Sequence, residues 1–153
     1  MTTHLPPCRR LLVVCAEPDD LAVLTDVVKA FTASGAVVRI LILTHGEVGA
    51  SPRRRFERAS EIARTAAALG VEEVDLLDHP HGGLTAVGQL KLTHDTSHAA
   101  AGSDVMVCVA GDEPISSRER DAVLVAVRAA ARQVGSTLVL ADPRAGHLLE
   151  TLP

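Results

Sequence analysis

Five short apolar runs, separated by stretches with helical spacing, constrain this 153-residue chain more than any other feature. They are Leu11 to Cys15, Val37 to Leu43, Val74 to Leu77, Asp104 to Val109 and Thr137 to Leu140. Leu11 to Cys15 is continuously apolar and all five are buried-type runs, which is the pattern of strands covered on both faces and hence of a parallel sheet. After the first run, Leu21, Leu24, Val27, Val28 and Phe31 recur at helical spacing, and Gly35 stands where a C-terminal cap belongs. A second helix is predicted from about Pro52 to Leu69, with Phe56, Ala59, Ile62, Ala63, Ala66 and Leu69 inward and Gly70 closing it. A third, weaker pattern covers about Ala86 to Ala100. A fourth runs from about Ser117 to Val134, with Val123, Ala126, Val127, Ala130 and Val134 on one face. Right-handed crossovers between such elements give a Rossmann-like, three-layer α/β/α domain with a mostly parallel five-stranded sheet.

Composition narrows the partners. One domain spanning 1–153 is expected at this length, and 47% hydrophobic with 22% charged residues is the balance of a soluble globular protein. Aromatics are only 1%, which removes the usual stacking platforms for single-stranded nucleic acid, and a net charge of -4 gives no basic footprint. No nucleic-acid partner is expected. No segment has the length of a membrane span, and the N-terminus lacks the apolar core of a signal peptide, so the expected location is cytoplasmic. Cys8, Cys15 and Cys108 are odd in number and lack C-x-x-C spacing; Cys15 and Cys108 read as small buried hydrophobes. Arg53, Arg54, Arg55 and Arg58 form one basic cluster, read as a solvated helix face.

The first apolar run ends in Ala16-Glu17-Pro18-Asp19-Asp20-Leu21. Ligands of open α/β sheets bind at the carboxyl ends of the strands, which is where these three carboxylates fall. Such acids repel one another unless a metal, a proton, a cationic group or water offsets the charge. A structural role is also available, because Asp19 or Asp20 can cap the helix that follows. No G-x-G-x-x-G, P-loop or G-x-S-x-G motif occurs, so dinucleotide, nucleotide-hydrolase and nucleophile-elbow readings fall away.

Four segments in order carry a resemblance: Leu11 to Asp20, then Leu43-Thr44-His45-Gly46-Glu47, Arg58-Ala59-Ser60-Glu61, and Leu76-Leu77-Asp78-His79-Pro80-His81-Gly82-Gly83-Leu84. Together they resemble the PIG-L/LmbE family of zinc-dependent N-deacetylases, whose motifs are A-H-P-D-D-E, L-T-x-G-E, R-x-x-E and P-D-G-G-L. The resemblance covers about residues 10 to 141. It implies Asp19 as general base, Asp20 as a metal ligand, and Glu17 at the position of the family's first ligand histidine. It also implies a substrate side formed by Arg58, His81, Gly82 and Gly83. The family's later G-H-P-D-H-R-A segment matches Ser116 to Ala122, which places Arg120 where a ligand histidine belongs. Arg120 cannot ligate a metal, because its guanidinium is always protonated. It could instead serve the acids as a counter-ion.

Further departures are Leu21 for the family's Glu and His81 for its Asp, and the chain is short at its C-terminus relative to the family. His147, after the last run, is a candidate replacement ligand; His94 and His98 read as an exposed pair on the third helix. Three readings follow. One is an active metal-dependent N-deacetylase with a Glu17/Asp20 site for zinc, acting on an N-acetylated amino-sugar-like small molecule. The second is a domain of the same fold without catalytic zinc, serving in binding or homo-oligomerisation, and loss of both ligand histidines favours it. The third is a phosphoacceptor receiver domain with Asp78 as acceptor. That chemistry calls for a lysine on the last strand, whereas Lys29 and Lys91 both fall on predicted helices.

Overall fold

Arg10–Cys15 (β1) is buried at every position after Arg10, and apolar side chains on both of its faces make it the centre of a sheet. The computed structural model describes residues 5–44, 51–79, 83–109, 117–142 and 147–152. The other strands are Val37–Thr44 (β2), Glu73–His79 (β3), Val105–Val109 (β4), Thr137–Asp142 (β5) and His147–Leu152 (β6). Their order is β3-β2-β1-β4-β5-β6, with β1 to β5 parallel and β6 antiparallel to β5.

Helices cover both faces. On one lie Asp19–Val23 (α1), Thr25–Ala33 (α2) and Pro52–Ala68 (α3), which pack Leu21, Leu24, Val28, Phe31, Ile62 and Ala66 against Leu11, Val13 and Cys15. On the other lie Leu84–Val87 (α4), Gln89–Ala100 (α5) and Ser117–Val134 (α6), which pack Leu84, Leu92, Val123 and Val127 against Leu12 and Val14. Alternate residues of one strand thus serve two cores, as period-2 geometry requires. Cys15 and Cys108 are buried, as their apolar surroundings implied.

The chain winds outward from β1 through β2 to β3, then returns to place β4 on the other side of β1. Strand order therefore reverses between β1 and β4, and the crevice at their carboxyl ends is the ligand position of such sheets. This order also removes the receiver reading. A receiver has its sheet in the order 2-1-3-4-5, with the third strand at the centre; here β3 is an edge, and Asp78 on it pairs with Arg55.

Four differences from expectation have local causes. The first helix is two helices, joined at Leu24, whose φ of -91° and ψ of 2° break the regular turn while keeping its side chain buried. The third is likewise divided, at Gly88, where a φ of +96° suits glycine and interrupts the helix. Phe56 and Ala63, expected inward, are exposed, Phe56 at 74%. On α3 full burial begins only at Ile62, so the first turns lie beyond the packed face. Finally, β6 extends the sheet beyond the five strands anticipated, pairing Val139 with Thr151 and Leu140 with Glu150.

Candidate functional site at the carboxyl end of the central strand

The turn after β1 is built from backbone bonds. Asp20 N–H donates to Glu17 C=O and Leu21 N–H to Pro18 C=O, both at 3.1 Å. Pro18 is the N-cap of α1, and neither Asp19 nor Asp20 supplies a side-chain cap, so the capping role expected of them is absent. Asp20 turns back instead: its Oδ2 accepts from Ala16 N–H at 2.9 Å. Thr44 at the end of β2 is fully buried and donates its hydroxyl to Ala16 C=O at 2.9 Å, tying the turn to the neighbouring strand.

Asp20 is 2% exposed, and its remaining oxygen is bonded from the opposite side of the crevice. Arg120, in the first turns of α6, donates from Nη2 to Asp20 Oδ1 at 2.9 Å, with its own side chain 13% exposed. The contact spans 100 residues of sequence and joins the segments after β1 and β4. Both oxygens of Asp20 are thereby engaged. Arg120 Nε and Nη1 are buried and have no hydrogen-bond partner among the described residues. Next to Arg120, Glu119 Oε1 accepts from Leu84 N–H at 3.0 Å, which pins the start of α4 just after Gly83, its N-cap.

Asp19 faces outward. Its side chain is 80% exposed and accepts from Arg58 Nη2 at 3.0 Å, bridging α1 to α3. The two line a pocket of about 260 Å³ with Pro18, Leu21 and Ile62. Arg58 Nε is buried without a hydrogen-bond partner among the described residues. Glu17 is half-buried and engaged. Glu17, Asp19, Asp20, Arg58 and Arg120 are thus gathered about one turn or its flanks. His81 and Gly82, with His45 to Glu47 and Ser116, lie outside the described residues. His147 begins β6, and its side chain is outside them too.

Among the described residues, no group of three or more His, Cys, Asp or Glu side chains is placed to hold a metal ion. The thiols beneath the turn do not add to a donor set. Burial, reinforced by the Asp20 charge, pushes Cys15 well above its ordinary pKa and Cys108 up to about 12, so both stay protonated.

A second cluster escaped the sequence reading. His79, at the end of β3, contacts Asp95 of α5 at 2.8 Å through Nε2, and Lys91 donates to the same carboxylate at 2.8 Å. Burial works to raise the Asp95 pKa, but hydrogen bonds from Lys91 and His79 outweigh it and hold the carboxyl below its usual range. The i, i+4 spacing of Lys91 and Asp95 was its one legible sign. A groove of about 670 Å³ runs beside it between β3 and α5, lined by Leu41, Leu77 and the exposed His94 and His98. It lies along the edge strand, away from the strand-order reversal, so the acidic turn is the stronger candidate site despite its smaller pocket.

No protein-family model matches the chain, and no curated protein is significantly similar to it. Solved structures are similar in fold. The conserved protein TT1542 from Thermus thermophilus superposes with a TM-score of 0.67 at 25% identity, over 86% of this chain and 65% of that one. N,N'-diacetylchitobiose deacetylase from Pyrococcus horikoshii gives 0.62 at 16% identity, over 87% and 60%. The zinc-inhibited form of teicoplanin deacetylase Orf2 gives 0.64 at 16%, over 94% and 68%. The chain spans less than two thirds of the length of the first two. No helix among the described residues is long and apolar enough to cross a membrane. The chain has the three-layer fold of the LmbE/PIG-L deacetylases, at low sequence identity.

Proposed function

We propose that this chain is a deacetylase-fold binding domain in which the Asp20–Arg120 ion pair stands at the metal position, without conventional zinc-dependent catalysis. The observation that carries this is the buried contact itself, 2.9 Å between Arg120 Nη2 and Asp20 Oδ1. The resemblance puts zinc ligands at positions 17, 20 and 120. A permanent cation at 120 repels a divalent ion and takes the Asp20 oxygen that would ligate it. Ala16 N–H holds the other oxygen. Of the three positions that the resemblance assigns to zinc, this leaves only Glu17, itself engaged, where a catalytic zinc site takes three protein ligands. The described residues at those positions therefore do not fit zinc.

Asp19 loses its catalytic meaning with the metal, since it has no bound water to deprotonate. The alternative, an active N-deacetylase using Asp19 as base and Glu17/Asp20 as ligands, requires Asp20 to leave Arg120. Metal content decides between them. Protein purified without chelators is expected to carry only substoichiometric zinc by elemental analysis and to release no acetate from N-acetylated amino sugars. Stoichiometric zinc that Asp20→Ala removes would overturn the reading. The double variant Glu17→His/Arg120→His is expected to gain zinc, because it restores imidazole at both altered positions.

A further inference from the structure

His94 and His98 stand one turn apart on α5, and both are exposed at the groove of about 670 Å³ between β3 and α5. Residues four apart on a helix have Cβ atoms about 5–6 Å from each other, a spacing that lets two imidazoles converge on one ion. His79 commits its Nε2 to Asp95, whereas neither His94 nor His98 has a hydrogen-bond or ion-pair partner among the described residues. Glu73, Asp75 and Asp95 line the same groove with Arg39, so its field favours a cation. Each carboxylate is already held: Glu73 and Asp75 by Arg39 at 3.2 and 3.5 Å, and Asp95 by Lys91 and His79, both at 2.8 Å. They contribute charge rather than ligands, in keeping with the absence of a three-donor group among the described residues. The helix itself lacks two ordinary supports, since it starts at Gly88 with no side-chain cap and has no acidic residue in its first turn.

We propose that His94 and His98 form a site for zinc or a metal ion of its class on the groove side of α5, with the two imidazoles as protein ligands and water in the remaining positions. Imidazole nitrogen suits zinc, copper and nickel, whereas magnesium and calcium take oxygen. Two protein ligands make an exchangeable site rather than a closed structural one. The pair has ligand spacing only while α5 is helical, so bound metal favours the folded helix and staples the turn from His94 to His98. The site shares no residue with the Asp20–Arg120 turn and does not depend on the function proposed there.

Titration of the full ¹⁵N-labelled chain with zinc chloride in a buffer that does not bind metal tests this, read at the ring resonances of His94 and His98 and by amide exchange along α5. Zinc is expected to shift both rings saturably and together and to slow exchange in α5; magnesium chloride is expected to do neither. His94→Ala and His98→Ala are each expected to weaken zinc binding at the remaining ring about tenfold or more, no less than the loss of an outer partner of a metal ligand. Both positions are exposed and alanine suits a helix, so the unfolding midpoint should change little. Rings unmoved by zinc, an equal response to magnesium, or unaltered binding in either folded variant would overturn the site. If a variant does not fold, the zinc and magnesium titrations of the unsubstituted chain decide alone. Zinc that moves resonances at Asp20 and Arg120 and leaves both rings unmoved overturns this site together with the function proposed above, whereas zinc that moves nothing overturns this site only.

Discussion

Asp19 and Asp20 each hold one arginine, at 3.0 and 2.9 Å, yet one carboxylate is 80% exposed and the other 2%. Near-identical ion-pair geometry in adjacent residues thus sits in two different solvents. Around Asp19, water competes with Arg58 for the charge, and such a pair contributes little. Around Asp20 there is almost no water to take over. Its charge is tolerable only because Arg120 and the Ala16 N–H both face it, and removing either leaves an uncompensated buried group. Distance alone does not rank the two contacts; burial does.

The sharpest way to break this comparison is to remove each arginine in turn. Arg120→Met is expected to destabilise the fold by about 3–5 kcal/mol, measured by urea unfolding, because Asp20 stays buried without its cation. Asp20→Leu/Arg120→Met should recover much of that loss, since an apolar pair leaves neither charge exposed to a low dielectric. Thr44→Val should cost about 1–3 kcal/mol by orphaning the Ala16 carbonyl that the hydroxyl now satisfies. Arg58→Met should cost no more than about 1 kcal/mol, with a difference that shrinks in high salt. If Arg58→Met proved as damaging as Arg120→Met, burial would not be what separates the pairs.

The smallest expected effect lies at the opposite end of the sheet, where an exposed carboxylate gains its partners from backbone. Asp104 Oδ2 accepts from Arg9 N–H at 2.8 Å and Arg10 N–H at 3.0 Å, and these two bonds hold its pKa below the ordinary value. A carboxyl depressed in the folded state stabilises the fold above its unfolded pKa, and that contribution is lost as pH falls through the lowered one. Asp104→Asn should therefore lower stability slightly above about pH 4, where that contribution is present, and flatten the acid limb below it, so that the two stability–pH curves converge in acid.

Much of the fold was legible because burial on both faces writes itself as uninterrupted apolar runs. The Leu11 to Cys15 run became the central strand, and Val123, Ala126, Val127 and Ala130 became the buried face of α6. The break at Leu24 was not legible, since Leu21, Leu24 and Val28 keep their helical spacing across it and all stay buried. Gly88 did carry a signal, a residue free to take positive φ inside a weak pattern, and it was passed over. His147-Leu148-Leu149-Glu150-Thr151-Leu152 is short and imperfectly alternating, and His147 was read as a candidate metal ligand rather than as the start of a strand. At the site, sequence order placed the three acids after β1, but not which of two adjacent aspartates would face inward. That depended on the backbone bonds from Asp20 to Glu17 and from Leu21 to Pro18, a geometry no residue type announces.

β3 is one of the two edges of the sheet, where a further strand could add. A sheet edge presents unpaired N–H and C=O groups to any other strand, and Val74, Leu76 and Leu77 would give such a contact an apolar lining. Glu73, Asp75 and Asp78 stand along the same strand, and Arg39 and Arg55 cross-link them to β2 and α3. These charges make approach of a second β3 costly at neutral pH. Strong salt, which screens exposed charges, lowers that barrier. The charged rim of β3 thus works against association through this edge, a role separate from the buried turn's part in holding the fold together.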